Sequence, residues 1–536
     1  MYKTVKRFSG DRAGNFAILA GVLSLPLLLG VGMALDYSTI SRTRSNLQNS
    51  LDTAVLAIAR EGEHITDDRA KELAGLFARE NTDWNVKNLQ VTHVGTSFKV
   101  EGTVDAPIAF GPLFGYKQWP VTASSTADIA YASYEVGLVL DTTGSMAGGK
   151  LAAMKDAVDA LVTDMSDQVS NKEKLKFAIV PFSSFVNVGP GFGPSFDKKG
   201  KQIAGTGANW LDLKGASNIP QSELSAGASR FQLYENLGQK WSGCVETRDS
   251  TDAAADPSKP GTLFVPAFAI DEPDTGGYFN SYIESDAKIK DNSVKEKKAR
   301  WKKYGVKPDG SGNPTNGGLL YALLSPVISL LGGNTHPTVP IDVRTVGGYG
   351  KTGPGFACLT EPIMALSNDY STIKTKVEAL TANGNTNIME GVAWGMRVLS
   401  PGEPFAQGKP VAPGLQKIMV VLTDGSNVMG NASNALGSSY SALGYLVDGR
   451  VGISVGGSGA TNAAMNTKTL EACTNAKAQG IEIYTIRLEE PNVATGTMLK
   501  ECASSPENFI DVPSRAQLDE AFSKIKDRIF TVRISS

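Results

Sequence analysis

The stretch Tyr134-Glu-Val-Gly-Leu-Val-Leu-Asp-Thr-Thr-Gly-Ser-Met146 decides the fold of this chain. Val136 to Leu140 is an uncharged apolar run of the kind that forms a strand buried on both faces of a parallel sheet. It ends at Asp141, and apolar residues at helical spacing begin after Lys150. The pattern predicts a strand, a polar loop and a helix. The loop lies at the carboxyl end of the strand, where open α/β sheets bind their ligands.

Asp141, Thr143 and Ser145 alternate along that loop, so their oxygen atoms can turn toward one point. Two later stretches carry similar groups: Asn383-Gly-Asn-Thr-Asn-Ile388 opens a predicted helix, and Ile418-Met-Val-Val-Leu-Thr-Asp-Gly425 is a second apolar strand ending on a carboxylate. Carboxylate and hydroxyl oxygens are hard donors that suit Mg²⁺ or Ca²⁺ rather than zinc. Taken singly, each stretch has a plainer interpretation, such as a helix N-cap for Asp-x-Thr-x-Ser or a turn for Thr-Asp-Gly.

Together the three stretches resemble the metal-ion-dependent adhesion site of von Willebrand factor A (VWA) domains. The resemblance implies an α/β fold over residues 133–536, with a doubly wound sheet flanked by helices and a large inserted lobe. It also implies one divalent cation, Mg²⁺ or else Mn²⁺ or Ca²⁺, surrounded by Asp141, Thr143, Ser145, Thr386 and Asp424. Thr143 stands where this family usually has serine, and the hydroxyl is kept.

Length and composition exclude several classes of protein. A chain of 536 residues is too long for one ordinary core, so two or more domains are expected. A formal net charge of -2 gives no electrostatic basis for binding nucleic acid, and three dispersed histidines argue against a histidine-based zinc or catalytic centre. The four cysteines form no Cys-x-x-Cys pair. They suit disulfides outside the cytoplasm or free thiols within it, and three disulfide pairings are possible.

A basic amino terminus followed by an apolar run predicts a membrane anchor. The basic residues before the run are Lys3, Lys6, Arg7 and Arg12. Residues 16–35 are long enough to span a bilayer as a helix, and the positive charges should keep the leading end in the cytoplasm. We therefore expect a cytoplasmic tail over 1–13, a single transmembrane helix over 14–36 in the bacterial inner membrane, and the bulk in the periplasm. A cleaved signal peptide is the alternative. Location outside the cytoplasm favours disulfides.

Residues 37–132 are predicted to form a helical stalk and a small antiparallel sheet. An amphipathic stripe runs from Leu47 to Ile58, and a second helix follows over 66–79. The period then changes to two from Phe98 to Val104 and again over 120–131. A membrane helix that leads into a small α+β region is similar to the layout of pilin subunits. A membrane anchor with a passive spacer is the plainer interpretation.

Three segments within residues 14–57 resemble TadG-like proteins of the tight-adherence, or Flp, pilus assembly system. They are Gly14-Asn-Phe-Ala-Ile18, Asp36-Tyr37 and Leu47 to Ala57. Prepilin peptidase substrates carry a glutamate five residues after a glycine, but here Leu19 follows Gly14 at that distance. The resemblance therefore implies a retained anchor with a role in pilus assembly or adhesion, rather than a processed major pilin.

Two insertions are expected within the 133–536 domain, at about 184–370 and 426–466. The first is rich in glycine, proline and aromatic residues, and we expect it to fold as a lobe pinned by a Cys244–Cys358 bridge. The second is rich in glycine, serine and alanine, and it is predicted to be a mobile loop beside the metal. A Cys473–Cys502 bridge would join two neighbouring late elements.

The resemblance to VWA domains implies binding rather than catalysis. Two carboxylates and three neutral hydroxyls leave a divalent cation able to accept a carboxylate from a protein partner, such as another pilus-assembly component. The alternatives are a metal-dependent hydrolase, an ATP-driven remodelling factor and a structural spacer with a vestigial metal site. A hydrolase needs a general base, and no histidine lies in the three stretches. Gly350-Lys-Thr352 has no apolar strand leading into it, so no nucleotide is expected. Exposure at the cell surface through the pilus is left open.

Overall fold

The structure, a computed structural model, places most of the chain in two separate units, Met1–Ala132 with Phe530–Ser536 and Ser133–Ile529. The residues that it describes are 12–61, 65–80, 85–94, 97–128, 133–169, 171–217, 219, 229–248, 262–271, 282, 293–295, 298, 310, 353–412, 414–430 and 438–530. Almost all of the predicted cytoplasmic tail over 1–13 therefore lies outside the described residues, and so does Gly350-Lys-Thr352.

The first unit is built on one long helix, α1 (Arg12–Glu61). Its 50 residues run from the apolar segment through Pro26 into the amphipathic stripe without interruption. Among the described residues, α1 is the one helix long and apolar enough to cross a membrane. Apolar side chains such as Leu25 are exposed, whereas Leu47 and Leu51 have no exposed surface. Most side chains of the first part of the helix are thus exposed, and the second part packs on its own unit.

A second helix and a three-stranded antiparallel sheet complete this unit. Their bounds are α2 (Asp67–Glu80), β1 (Lys87–Val94), β2 (Ser97–Pro107) and β3 (Gln118–Asp128), and the strands pair in that order. Alternate residues of β2 are buried, and they share one apolar cluster with Leu47 and Leu51 of α1. The alternation follows from the pleat, which turns every second side chain toward the helix.

A nine-stranded, mostly parallel sheet forms the centre of the second unit. In chain order the strands of this unit are β4 (Ser133–Asp141), β5 (Leu175–Phe182), β6 (Val186–Asn187), β7 (Cys244–Glu246), β8 (Val265–Pro266), β9 (Met364–Ser367), β10 (Leu415–Thr423), β11 (Tyr440–Ser441), β12 (Gly444–Tyr445), β13 (Ile481–Leu488) and β14 (Phe509–Val512). The order across the sheet is β14-β13-β10-β4-β5-β6-β7-β8, with β9 also paired to β5. The run from β14 to β5 is parallel, β6 to β9 join antiparallel, and β11 and β12 form a separate hairpin.

Helices cover both faces of this sheet. Their bounds are α3 (Gly149–Gln168), α4 (Arg230–Asn236), α5 (Tyr370–Glu378), α6 (Ile388–Leu399), α7 (Ser458–Ala478), α8 (Val493–Cys502) and α9 (Leu518–Ile529). Helix α6 packs with α7 and approaches the sheet so closely at Gly137 that a Cβ there would lie 3.2 Å from Leu399. Leu138 and Leu140 point to the other face and are equally buried, and α3, α5 and α9 pack together. The predicted α/β fold with a mostly parallel sheet is confirmed.

The described part of the first insertion shares one apolar core with the sheet. Trp210 and Phe264 pack edge to face, and Phe264 also contacts Trp394 of α6 with ring centroids 4.8 Å apart. The disulfides are Cys244–Cys358 and Cys473–Cys502, and the second joins α7 to α8. Strand β9 lies within the predicted insertion 184–370 but belongs to the main sheet. It was not predicted, because four residues are too few to show a strand period in the sequence.

In the described residues of 426–466, the structure has a helix and a hairpin where a loop was predicted. Helix α7 begins at Ser458, well before the predicted boundary, and β11 and β12 form a hairpin whose apolar residues are buried. Tyr440 donates a hydrogen bond to Glu246 and accepts one from the backbone N–H of Phe268. The second insertion therefore packs on the first. The sequence hid this because alanine, threonine and asparagine at the start of α7 show no apolar stripe.

Candidate metal centre

The candidate site lies where the strand order of the sheet reverses. Strand β4 is the first strand of its sheet in the chain, and it lies between β5, the next in sequence, and β10. The loops that leave β4 and β10 therefore diverge to opposite sides, which leaves a crevice between the two carboxyl ends. Asp141 ends β4, and Asp424 follows Thr423 at the end of β10. Parallel pairing of these strands brings both carboxylates to one edge.

Asp141 is fully buried and held by two hydrogen bonds. Its Oδ1 accepts from the backbone N–H of Thr143 at 2.8 Å, which closes a tight turn. Its Oδ2 accepts from the hydroxyl of Thr423 at 2.6 Å, which bridges β4 and β10. These contacts fix the orientation of the carboxylate before any ligand arrives.

Two carboxylates in one crevice repel each other. Burial, and then the charge of the nearby Asp424, raises the pKa of Asp141 from 3.8 to about 6. The hydrogen bonds from Thr423 and Thr143 oppose this rise without cancelling it. An additional positive charge at the crevice would favour the ionised form of Asp141.

A chain of hydroxyls links the first loop to the second carboxylate. The hydroxyls of Thr143 and Ser145 lie 3.0 Å apart, and Ser145 donates to Asp424 Oδ1 at 2.6 Å. On the other side, the Lys150 ammonium lies 2.7 Å from Asp424 Oδ2. Ser145 is exposed, whereas Asp141 and Asp424 are buried, so the site opens to the surface through Ser145.

The third predicted stretch reaches the same crevice. A Cβ placed on Gly425 would lie 3.2 Å from the Thr386 hydroxyl and 3.7 Å from the Ser145 hydroxyl, so both face the space that this glycine leaves open. The loop before Thr386 is tied to the first loop by hydrogen bonds from the N–H of Gly144 to Gly384 and from the N–H of Asn383 to Thr142. Asn387 then caps α6 through the N–H of Glu390.

The structure thus gathers the five predicted side chains: Asp141, Thr143, Ser145, Thr386 and Asp424. The sequence analysis missed Lys150 and Thr423, which hold one carboxylate each. The signals were present, because Lys150 opens the helix after the first loop and Thr423 directly precedes Asp424.

The donor set fits a hard divalent cation. Two carboxylates and three hydroxyls are oxygen donors, and their hydrogen bonds to one another can be exchanged for bonds to an ion. Across the described ranges, no group of three or more His, Cys, Asp or Glu side chains gathers; the candidate site has two carboxylates, so a cation there would depend on the hydroxyl oxygens as well. The ion pair of Lys150 with Asp424 means that a cation would have to displace an ammonium from this carboxylate.

The amino-terminal helix supplies the sequence similarity to known proteins. Residues 14–61 match the model of the putative Flp pilus-assembly TadE/G-like family. That range lies wholly within α1 and includes both its exposed apolar part and the part that packs on the sheet. No curated protein matches the chain.

Three solved structures of pilus proteins show a weak similarity in fold. The pilus adhesin SpaC from Lactobacillus rhamnosus GG matches with TM-score 0.31 and 10% identity over 84% of this chain and 35% of that chain, so this chain spans about a third of SpaC. The vWF domain of the type V pili tip protein Mfa5 from Porphyromonas gingivalis matches with TM-score 0.31 and 10% identity. The match covers 74% of this chain and 95% of that chain. The adhesive tip pilin GBS104 from Group B Streptococcus agalactiae matches with TM-score 0.31 and 10% identity. The match covers 74% of this chain and 100% of that chain. Similarity this low assigns no function.

Proposed function

We propose that this chain is a membrane-anchored, non-enzymatic binding protein of a Tad-type pilus, and that it engages a protein partner through a divalent cation. The cation, Mg²⁺ or else Mn²⁺ or Ca²⁺, is held by Asp141, Thr143, Ser145, Thr386 and Asp424. The observation that carries the proposal is the convergence of these oxygens at the reversal point of the sheet, beside a surface opening at Ser145.

The sheet supports the assignment of this unit to the VWA type. Apart from the short strands β6 to β8, the order is β9-β5-β4-β10-β13-β14, with β9 antiparallel to β5, and this is an open doubly wound arrangement. Ligands of such sheets bind at the carboxyl edge where the order reverses. The crevice between β4 and β10 corresponds to that place, and the three loops beside it resemble the metal-ion-dependent adhesion site motif in sequence.

The mechanism follows from the charges of the site. When bound, a divalent cation would supply positive charge that attracts an acidic side chain of a partner. Thr423 and the N–H of Thr143 keep Asp141 oriented, and Lys150, now paired with Asp424, would have to release this carboxylate to the cation. Neutral hydroxyls leave part of the positive charge unbalanced, and this favours a carboxylate over a neutral ligand.

The assignment to pilus assembly and to a membrane is supported by α1. Its residues 14–61 match a pilus-assembly family, and its apolar part is long enough to span a bilayer. The two disulfides suit an oxidising compartment, so we place the bulk of the chain in the periplasm with the amino terminus in the cytoplasm.

A direct test measures the binding of Mn²⁺ to the full-length protein in detergent by electron paramagnetic resonance. The wild type should bind one Mn²⁺ in competition with Mg²⁺, and Asp141→Asn and Asp424→Asn should lose this binding. Asp212→Asn is the matched control, because Asp212 is also buried but accepts backbone N–H bonds in the lobe. Capture of a crosslinked pilus component from cells should depend on the same two aspartates and should be abolished by EDTA.

A structural spacer without a bound ion is the second candidate, and one observation favours it. The Lys150 ammonium already neutralises Asp424 at 2.7 Å without any metal. If the wild type binds no Mn²⁺ and the crosslinked partner survives EDTA, the spacer is the better description and the metal bridge is wrong.

A further inference from the structure

The connection between β2 and β3 is an apolar loop that faces outward. Residues 107–116 read Pro-Ile-Ala-Phe-Gly-Pro-Leu-Phe-Gly-Tyr and contain no charge. Leu113 is 70% exposed, and Phe114 is 57% exposed. Exposed apolar side chains that lie next to one another mark a surface that binds something apolar. We call residues 107–116 the apolar loop.

Asp36 ties the apolar loop to the outer end of the membrane segment. Its Oδ1 accepts from the N–H of Ala109 at 2.7 Å, and its Oδ2 accepts from the N–H groups of Phe110 and Gly111 at 3.1 and 3.0 Å. These donors lead into a short 3₁₀ turn, Gly111–Phe114, so the carboxylate satisfies N–H groups just before and at the start of the turn. Asp36 directly follows the apolar run of α1, so the loop is fixed at the level where that run ends.

Part of the apolar loop reaches past that level. A Cβ on Gly32 would lie 2.5 Å from the ring of Phe110, so the ring lies directly on the helix at Gly32. Gly32 is one helical turn before Asp36, which places the ring about 6 Å inside the apolar run at 1.5 Å per residue. A bulkier residue at position 32 would exclude this contact.

We propose that the apolar loop inserts into the lipid of the leaflet that holds the carboxyl-terminal end of the apolar run. Leu113 and Phe114 enter the boundary between headgroups and acyl chains. Tyr116 and Trp119 lie at headgroup level, where amphipathic aromatic rings are enriched in membrane proteins. The unit thus contacts the bilayer twice, by its helix and by this loop, and this fixes its rotation about the helix axis.

Lipid is the occupant that the position of the loop favours. The exposed apolar surface of the loop continues the exposed apolar surface of α1, where Leu28 and Leu35 are 63% and 54% exposed. Lys117 directly follows the loop and is exposed, where its ammonium can reach anionic headgroups while its stem lies on apolar surface. Tyr37 is 74% exposed at the same helical level and extends the aromatic belt.

Site-directed spin labelling tests the insertion in the full chain. All four cysteines are in disulfides, so one new cysteine is the only free thiol. We would label Phe114→Cys in vesicles of phosphatidylethanolamine and phosphatidylglycerol. Collision of the nitroxide with oxygen, which enters lipid, is compared with collision with a water-soluble nickel chelate. Leu25→Cys, in the apolar run, is the lipid reference, and Leu76→Cys, exposed on α2, is the aqueous reference.

The nitroxide at position 114 should collide more with oxygen than with the nickel chelate, as the nitroxide at position 25 should. The nitroxide at position 76 should show the opposite preference. The proposal depends on membrane anchoring by α1, which the label at 25 tests separately. If 25 reports lipid while 114 reports water, the loop does not insert, although the anchor stands. If neither reagent reaches 114, protein surface of this chain or of a second copy covers the loop, and lipid insertion is also refuted. If 25 itself reports water, the anchoring fails and the insertion fails with it.

Discussion

Lys150 and Asp424 form an ion pair in the place where the proposed cation would bind. The lysine side chain is 19% exposed, whereas the aspartate side chain is fully buried, so the pair lies at the edge of the protein interior. A hydrogen bond to a charged group contributes about 1.5–3 kcal/mol. The lysine therefore stabilises the protein without metal, and it also opposes the arrival of a cation.

Replacing this lysine should tighten the binding of a cation. Lys150→Met keeps the length of the stem and removes the ammonium, so an ion no longer has to displace it. We expect affinity for Mn²⁺ to rise by roughly tenfold, the equivalent of about 1.4 kcal/mol, measured by titration calorimetry. The control is Lys155→Met, because Lys155 lies one turn further along α3 and away from Asp424. Unchanged affinity in Lys150→Met would show that the ion pair does not compete with the metal.

Asp141 should make the metal-free protein less stable as the pH rises. Its pKa of about 6 in the folded state lies above 3.8, so between these values the folded protein keeps a proton that the unfolded chain has released. The contribution of this proton to the free energy of unfolding is fully present below about pH 4 and is lost by about pH 6 to 7. The loss is on the order of 3 kcal/mol, since one pKa unit corresponds to about 1.4 kcal/mol.

Asp141→Asn removes this titration. In EDTA, the free energy of unfolding of the wild type relative to Asp141→Asn should fall as the pH is raised from about 4 to about 7, measured by chemical denaturation in detergent. Saturating Mg²⁺ should reduce this fall in the free energy of unfolding, because the bound cation would stabilise the ionised carboxylate of Asp141 in the folded state. A difference between the two proteins that stays constant with pH would contradict the raised pKa.

At the level of elements, the long apolar strands were predictable and the short ones were not. Strands β4 and β10 are buried on both faces, so their sequences are continuous apolar runs that end on a carboxylate. Strands β6 and β8 have two residues each. Both pair with β7, which is separated from each of them in sequence by other residues of the lobe. No local pattern encodes such pairing, because it depends on which aromatic residues of the lobe reach the core.

The candidate site was predictable for a similar reason. Residues at the ends of two long central strands share an edge as soon as the strands are parallel neighbours, so the partnership of Asp141 and Asp424 follows from topology alone. The contact of Lys150 with Asp424 depends on the rotation of α3 about its axis. A sequence pattern gives the face of a helix but not the atom that a side chain in its first turn reaches.

The opposite ends of the same two strands carry a buried ion pair. Glu135 of β4 and Lys417 of β10 are register partners, with Lys417 Nζ 2.6 Å from Glu135 Oε2, and both side chains are 3% exposed. Lys417→Met should cost about 3–5 kcal/mol of the free energy of unfolding, because it leaves a carboxylate buried without its partner. Adding Glu135→Leu should restore part of the loss, since no unpaired charge then remains.

Chemical denaturation of the single and double variants measures the coupling. The double variant should be more stable than Lys417→Met, although it should not reach the wild type, because Glu135 also accepts the backbone N–H of Lys409. A double variant that is less stable than Lys417→Met would show that the packing of Glu135, rather than its charge, dominates.

For the whole molecule, the two disulfides and the apolar segment make a joint prediction about compartment. The disulfides Cys244–Cys358 and Cys473–Cys502 persist only where thiols are not kept reduced. Deleting residues 14–36 should leave the protein in the cytoplasm with all four cysteines reduced. A gel shift after alkylation with a large maleimide should then occur in the deletion variant and not in the full chain. Full reaction of the intact chain would contradict the proposed periplasmic location.

The continuity of α1 has a mechanical consequence. A helix of 50 residues is about 75 Å long at 1.5 Å per residue, and no break separates the bilayer segment from the part beneath the three-stranded sheet. Under the proposed membrane anchoring, the lipid-embedded part of α1 and the part that carries the sheet belong to one continuous helix and tilt together. Tension applied to the sheet would be delivered to the bilayer as torque, and a change in bilayer thickness that alters the tilt of the helix would swing the sheet through the same angle.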